Sequence, residues 1–415
     1  MPDSGINHLF QPEPEFLRKR VDEYYEVRLK GDWAGRHPLK GKLPDSNSVQ
    51  LRTNDYLCIA NDSRIVEAEV SVLRDSGHGD TASRVWSYHH TDPIKAFEHR
   101  LAGLMLAQDA VLTTSGYTAN VGLIQSIARP EIPIYMDMKA HMSLWQGAVS
   151  ALAQPFPFRH NDPNNLESLL QKHGSGIIVV DALYSTDGAL APLQDFVFLA
   201  ELYGCVIVVD ETHSFGTQGP NGAGLVVALG LADQVHFRTL GMSKAVAARG
   251  GAVVCSRRHA EFYRYEAFPS IFSTGVLPHE VAGYEAALDI FQKESWRRKK
   301  LHENHNELRL GLDGLGYNVD TAHAQIIALE SGSPASTSLL RDELEARGVF
   351  GSVFLPPATP PSRCLVRLSV NCNLRNDEIA HVLEVCSDIR ERVAMNDWRS
   401  TKRRRGLNQG TTLAA

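Results

Sequence analysis

Three consecutive stretches decide the fold: Gly176-Ile-Ile-Val-Val-Asp181, then Leu193-Gln-Asp-Phe-Val-Phe-Leu-Ala-Glu-Leu-Tyr203 with Gly204, then Cys205-Val-Ile-Val-Val-Asp210. The first and last are apolar, β-branched and without alternation. Strands that read this way are buried on both faces, as in parallel sheets. The middle stretch has helical apolar spacing and stops at a glycine. Together they predict a βαβ unit, and therefore an α/β domain.

Working outward, Ile132-Pro-Ile-Tyr-Met-Asp137 and Gly251-Ala-Val-Val-Cys255 add two more such strands, with a further one expected at Val235-His-Phe. The alternating block extends over about residues 60–290. Beyond it the composition shifts. Lys293 to Leu310 reads as one long charged helix, and Cys364-Leu-Val-Arg-Leu-Ser-Val370 alternates like a half-exposed strand. Asn376 is placed to cap a last helix whose apolar face is Ile379, Val382, Leu383, Cys386 and Ile389. The expected layout has four parts. Residues 1–59 form an N-terminal helix and arm packing with the small domain. Residues 60–290 form a large α/β domain with a mostly parallel sheet, 291–395 a smaller α+β domain, and 396–415 a flexible basic tail.

The chain has 415 residues, of which 43% are hydrophobic and 22% charged, with a net charge of −6. Such a chain can bury a large core, and its near-neutral balance gives no support for a nucleic-acid-coating surface. Lys402-Arg-Arg-Arg405 is the local exception; it reads as a solvated terminus or as a polyanion-binding patch. The six cysteines form no CxxC pair and no cluster with histidine, so neither a disulfide framework nor a metal site is expected. No apolar window approaches a membrane span, and no secretory leader pattern is present, so the chain reads as cytoplasmic.

Ligands of open α/β sheets bind beyond the carboxyl ends of the strands. Three apolar runs end there in Asp137, Asp181 and Asp210, each of which either caps its turn or faces a polar site. Asp210-Glu-Thr-His213 adds an imidazole three residues on. Lys244, in Thr239-Leu-Gly-Met-Ser-Lys244-Ala, lies between two buried strands; it is either a loop lysine or a Schiff-base lysine activated by desolvation. Ser115-Gly116-Tyr117 opens an apolar helix, an N-cap that also suits a phosphate. Pyridoxal phosphate needs a lysine, a carboxylate for its ring nitrogen and a phosphate cup. Lys244, Asp210 and Ser115-Gly116 supply all three.

Over about residues 50–395 the chain resembles the α-oxoamine synthase family of fold-type I pyridoxal-phosphate enzymes. The motifs that carry the resemblance are Asn54-Asp-Tyr-Leu57, Ser115-Gly-Tyr117, Lys139-Ala-His-Met-Ser143, Asp181-Ala-Leu-Tyr-Ser-Thr-Asp-Gly188, Val209-Asp-Glu-Thr-His-Ser-Phe-Gly216, Gly219-Pro-Asn-Gly-Ala-Gly224, Ser243-Lys244-Ala and Phe272-Ser-Thr274. Ala140-His-Met-Ser-Leu-Trp145, Gly348-Val-Phe-Gly-Ser-Val-Phe354 and Val366-Arg-Leu-Ser-Val-Asn371 resemble the CqsA-type α-hydroxyketone autoinducer synthases within it.

The resemblance implies the aspartate aminotransferase-like fold and a homodimer with shared active sites. It implies that Lys244 bonds the cofactor, Asp210 pairs with its ring nitrogen, His213 meets the ring hydroxyl and His141 stacks on the ring. Ser115, Gly116, Tyr117, Ser185, Thr239 and Ser243 would complete the cofactor contacts, with Ser273 and Thr274 reaching the phosphate from the other subunit. Arg367, assisted by Asn54, would grip the carboxylate of an amino-acid-type donor.

The implied reaction is a decarboxylating Claisen-type condensation with an acyl-CoA, with Lys244 as base. The subgroup implies a medium- or long-chain acyl-CoA and S-adenosylmethionine or 2-aminobutyrate; a primary-metabolic α-oxoamine synthase, an aminotransferase or lyase on the same fold, and a non-catalytic partner subunit are the other readings the sequence leaves open. Phe156-Pro-Phe158 and Phe350 to Leu355 either line an acyl pocket or pack in the core. The chain departs from the family at Gly241, where a Thr or Ser is common, and at Asp80 to His90.

Overall fold

The computed structural model describes residues 13–33, 35–79, 81–86 and 92–403. The strands are β1 (Val49–Leu51), β2 (Asp109–Thr113), β3 (Ile134–Asp137), β4 (Pro155–Phe158), β5 (Ile177–Asp181), β6 (Val206–Asp210), β7 (Phe237–Gly241), β8 (Gly251–Cys255), β9 (Ile326–Gly332), β10 (Val349–Phe354) and β11 (Cys364–Ser369). They form a seven-stranded sheet in the order β2-β8-β7-β6-β5-β3-β4 and a four-stranded sheet in the order β1-β10-β11-β9.

β5 and β6 pair in parallel from Ile177↔Val206 to Asp181↔Asp210, joined by the helix Leu193–Leu202. The βαβ unit thus exists as the residue pattern requires. Gly204 follows the helix at φ +62°, a left-handed backbone that glycine adopts without the strain of a Cβ. Every residue of β3, β5, β7 and β8 is buried, because helices cover both faces of the sheet.

The strand expected at Val235-His-Phe lies further along, at Phe237–Gly241, which brings Thr239 into the sheet interior. β8 runs antiparallel to both its neighbours, β7 and β2. β2 has no counterpart among the predicted strands. The long helix expected from Lys293 to Leu310 is present as Trp296–Gly314, starting three residues later, and it is preceded by a separate helix, Pro278–Lys293, that was not expected.

The expected alternation in β11 is absent. All six of its residues are buried, because the strand is central between β10 and β9. Asn376 is the first residue of its helix rather than the cap; the Glu378 carboxylate accepts the Arg375 N–H at 2.9 Å.

β1 joins the four-stranded sheet in parallel with β10, so the chain near residue 50 is built into this sheet. The N-terminal helical segment Glu15–Asp32 buries no residue, contrary to the expected packing. The arm that follows does dock: Arg36 pairs with Asp342, and Lys42 N–H donates to Glu345 at 2.6 Å. The tail expected from residue 396 is also packed as far as Thr401. Trp398 is buried with its ring 5.8 Å from that of Tyr317, and Ser400 and Thr401 are buried.

Candidate active site

The carboxyl ends of β5, β6 and β7 open onto a cavity of about 1440 Å³. Its wall includes Asn54, Ser115, Gly116, Tyr117, His141, Ser185, Asp210, His213, Ser243, Lys244 and Arg367. Eleven predicted positions, drawn from seven separate parts of the chain, therefore meet around one space.

Lys244 follows β7 on the short connection to β8. Its amine makes no hydrogen bond or ion pair among the described residues. Burial holds its pKa below the ordinary lysine value, and nearby Arg367 adds to this, while Asp210 opposes it. A half-buried, unpaired amine near a carboxylate is the arrangement a Schiff-base lysine requires.

Asp210 ends β6 with its carboxylate fixed from two sides. Thr212 N–H donates to Oδ1 at 2.8 Å, and Asn120 Nδ2 donates to Oδ2 at 2.7 Å. Asp181, beside it in register, has its pKa raised well above the ordinary value by burial and by Asp210. Asp137 does not share this role. It accepts His160 Nδ1 at 3.0 Å, Asn161 N–H at 2.9 Å and Lys139 N–H at 2.7 Å, and so caps its own turn.

His213 is buried and neutral. Burial drives its pKa well below the ordinary value, and the positive charges of Lys244 and Arg367 add to this. Tyr56 Oη lies 2.8 Å from His213 Nδ1, and burial pushes that phenol up to about 12, so the phenol keeps its proton. His141 caps the helix Met142–Ser150 and is exposed to the cavity, with Nδ1 2.7 Å from Ser143 Oγ.

The helix Gly116–Ile127 points its N-terminus at the cavity wall, with Ser115 capping Thr118 N–H at 3.1 Å. Gly116 is required there by space. A Cβ would stand 2.8 Å from Gly241 Cα, so the helix end could not lie against the end of β7. Gly241, the departure from the family pattern, is the other half of this contact. Its N–H donates to Thr212 Oγ1 at 2.9 Å.

Arg367 is buried and held open. Nη2 donates to Asn54 Oδ1 at 2.9 Å, Nη1 donates to the Ser185 carbonyl at 2.8 Å, and the guanidinium lies 4.8 Å over the Phe354 ring. Its Nε is buried without a partner. Ser185 thus contributes its carbonyl oxygen to this contact.

Three predicted residues lie off the wall. Thr239 is buried in β7, and its hydroxyl donates to Asn120 Oδ1 at 2.5 Å; the shifted strand turned it inward, away from a phosphate. Ser273 Oγ donates to the Pro269 carbonyl at 2.5 Å, and Thr274 bridges to Ser83, so neither reaches the cavity of its own chain. Residues 81–86 of the divergent segment are described, while 80 and 87–90 fall outside the described residues. Phe156 and Phe158 belong to the sheet core, whereas Phe354 lines the cavity.

The prediction also missed Asn120, which joins Thr239, Asp210 and Ser143 (2.8 Å) and through Ser143 reaches His141. Its place one helical turn after Gly116 is the pattern that could have exposed it. Thr212, between Asp210 and His213, was equally legible. Arg363 and Arg403 were not, because only the folded chain brings them to the cavity.

A lysine, an oriented carboxylate, a neutral imidazole and a helix N-terminus around one cavity fit pyridoxal phosphate. Lys244 would bond it, Asp210 would meet the ring nitrogen, and the Gly116 helix end would take the phosphate.

The chain belongs to the aminotransferase class I and II family, whose model matches residues 46–385. Within that family it is a fold-type I, pyridoxal-phosphate-dependent acyltransferase of the α-oxoamine synthase type. It is 39% identical over 378 residues to a CAI-1 autoinducer synthase of Vibrio campbellii, covering 91% of this chain and 96% of the relative. It is 30% identical to 8-amino-7-oxononanoate synthase 2 of Bacillus subtilis, covering 90% of this chain and 97% of that one. A serine palmitoyltransferase from S. paucimobilis, solved with bound PLP and myriocin, superposes with a TM-score of 0.83 at 25% identity. That match covers 92% of this chain and 100% of the neighbour. Among the described residues there is no group of side chains that could hold a metal ion, and no helix long and apolar enough to cross a membrane.

Proposed function

We propose that this enzyme condenses a medium- or long-chain acyl-CoA with S-adenosylmethionine or 2-aminobutyrate, with loss of carbon dioxide. The α-aminoketone product is the precursor of an α-hydroxyketone quorum-sensing signal. The observation that carries the reading is the cavity. At about 1440 Å³ it is larger than the roughly 300–1,000 Å³ of an ordinary small-ligand pocket. Beside Lys244 and Arg367 its wall turns apolar, with Met138, Trp145, Phe354, Pro356 and Leu365, which suits a fatty acyl chain. The name of the Vibrio relative supports the signal class.

Bound there, pyridoxal phosphate supplies an electron sink for a carbanion at Cα. Arg367 receives the donor carboxylate, with its fork aimed by Asn54 and Ser185. Lys244 Nζ, deprotonated more readily because it is half-buried, takes the Cα proton. Asp210 would pair with the ring nitrogen and keep it protonated, and neutral His213 would meet the ring hydroxyl. A carbon–carbon bond forms between Cα and the thioester carbonyl, the CoA thiolate leaves, the carboxylate departs as carbon dioxide, and the electron pair left on Cα takes back the proton held by Lys244. Ser273 and Thr274 act in the partner subunit's site of a homodimer, which accounts for their distance from their own cavity.

The test is product analysis by mass spectrometry, with acyl-CoA chains of increasing length against S-adenosylmethionine, 2-aminobutyrate and alanine. A long-chain α-aminoketone formed from either of the first two donors is expected. An ω-carboxylated seven-carbon acyl-CoA is included with alanine; 8-amino-7-oxononanoate formed from that pair, with no product from the fatty acyl-CoAs, would reject the signal reading in favour of the activity named in the Bacillus relative.

A further inference from the structure

We propose that Arg363 and Arg403, bridged by Glu330 in the outer wall of the cavity, bind the phosphates at the nucleotide end of the acyl-CoA. This rests on the acyl-CoA reading above and adds a subsite to it. The basic run Lys402 to Arg405, read from sequence as a solvated terminus or a polyanion patch, is the starting point. The chain does not leave the surface before it. Trp398 is buried, Asn318 Nδ2 donates to the Ser400 carbonyl at 2.8 Å, and Ser400 Oγ donates to the Glu330 carbonyl at 2.6 Å. Ser400 and Arg403 thereby become part of the cavity wall.

Glu330 holds two guanidinium groups at once. Arg363 reaches Oε2 at 2.8 Å and Arg403 reaches Oε1 at 2.6 Å. The carboxylate side chain is 13% exposed, while the two arginine side chains are 43% and 48% exposed. One carboxylate shared by two guanidinium groups leaves a net positive charge, and both forks keep donors facing solvent in the cavity. A guanidinium fork matches phosphate oxygens in a bidentate way.

The other charged groups on this part of the wall are Arg159, paired with Asp162 at 2.8 Å, Asp320, and Lys139, paired with Asp187. With Asp320 counted, the charges on this part of the wall balance; what the Glu330 bridge provides is two guanidinium groups held side by side.

The spacing fits an extended thioester. On β11, Arg367 lies opposite Ala328 of β9 and Leu365 lies opposite Glu330. Arg363, just before β11, is four residues from Arg367, at most about 13 Å along the chain, with a register shift between Cys364 and Leu365. The wall from the donor-carboxylate end to the phosphate end thus runs Arg367, Leu365, Arg363, with an apolar middle. That separation is on the scale of a pantetheine arm. Because Arg403 lies on the wall of the same cavity as Lys244 and Arg367, a small phosphorylated molecule that also reaches them fits better than a nucleic acid.

The experiment is isothermal titration calorimetry on the full-chain holoenzyme without amine donor. The probes are decanoyl-CoA and decanoyl-pantetheine, which lacks the nucleotide. Arg403→Ala and, independently of the C-terminal segment, Arg363→Ala should each weaken decanoyl-CoA about tenfold while leaving decanoyl-pantetheine unchanged. Glu330→Gln, which frees both guanidinium groups, should tighten decanoyl-CoA binding. A purely structural ion bridge would instead weaken binding in all three variants.

Unchanged decanoyl-CoA affinity in both arginine variants, or equal losses for the two probes, overturns the subsite. If decanoyl-CoA turnover persists in that case, the acyl-CoA reading stands without the subsite. No binding and no turnover by the unaltered enzyme removes both.

Discussion

Asn120→Ala tests the geometry most finely. The amide is buried and makes three contacts. It donates to Asp210 at 2.7 Å and to Ser143 at 2.8 Å, and it accepts from Thr239 at 2.5 Å. A hydrogen bond to a charged group contributes about 1.5–3 kcal/mol and a neutral one about 0.5–1.5 kcal/mol. Water entering the space left behind will recover part of this. The variant should therefore lose about 3 kcal/mol, read as the urea midpoint of the cofactor-free protein. Thr239→Val, which removes one neutral bond at nearly constant volume, should lose about 1 kcal/mol.

Asp210 keeps its bond from Thr212 N–H at 2.8 Å but loses the constraint on Oδ2. Spectroscopic titration with pyridoxal phosphate should then show affinity weakened by about tenfold, equivalent to about 1.4 kcal/mol. An Asn120→Ala protein with the parent's urea midpoint and the parent's cofactor affinity would refute the reasoning. It would mean that the amide neither holds the carboxylate nor contributes to the core.

Lys244→Met should abolish the visible band of the lysine-bound cofactor and raise the Tm of the cofactor-free protein near neutral pH. The folded pKa of this lysine lies below its unfolded value, so between the two the unfolded chain binds more protons and stability rises with pH. The gain from Lys244→Met should therefore shrink as pH climbs towards the ordinary lysine value; a constant gain from pH 7.5 to pH 10 would contradict it. Gly116→Ala forces a Cβ to within 2.8 Å of Gly241 Cα and should cost about 1–3 kcal/mol in denaturation with weaker cofactor binding. Parent-like values would show that the helix end does not need to lie so close. Arg367→Ala should raise the KM for the amine donor by more than that for acyl-CoA, and the reverse pattern would reject its carboxylate role.

The fold was legible where sequence and burial share one cause. The unbroken runs at Ile177–Asp181 and Val206–Asp210 can be satisfied only between two covered faces, and that is where they lie. β2 was missed because Asp109-Ala-Val-Leu-Thr113 opens on a carboxylate and reads as weakly apolar. In the folded chain Asp109 is paired with Lys95 at 2.7 Å and with Arg264 at 3.3 Å, and those partners come from elsewhere. β11 looked half-exposed because Arg367 interrupts its apolar run, yet that arginine is buried by Asn54, Ser185 and Phe354.

The same limit applies to the site. Lys244, Asp210 and His213 are readable as a set because each follows or ends an apolar run. Thr239 misled, since a hydroxyl five residues before the lysine can face either side of a strand whose register was not known. Arg363 and Arg403 come to Glu330 only through the docking of Trp398 and Ser400, a long-range event with no local pattern.

The most direct test of the central claim is the stoichiometry of one incubation. Holoenzyme would be given decanoyl-CoA together with carboxyl-labelled 2-aminobutyrate or S-adenosylmethionine, and free CoA thiol and labelled carbon dioxide would be measured over time. The account predicts equal release of both, dependent on the presence of both substrates and lost in Lys244→Met. Release of a keto acid from the donor without CoA thiol or carbon dioxide would contradict it, and would make the chain an amino-group transferase on this fold.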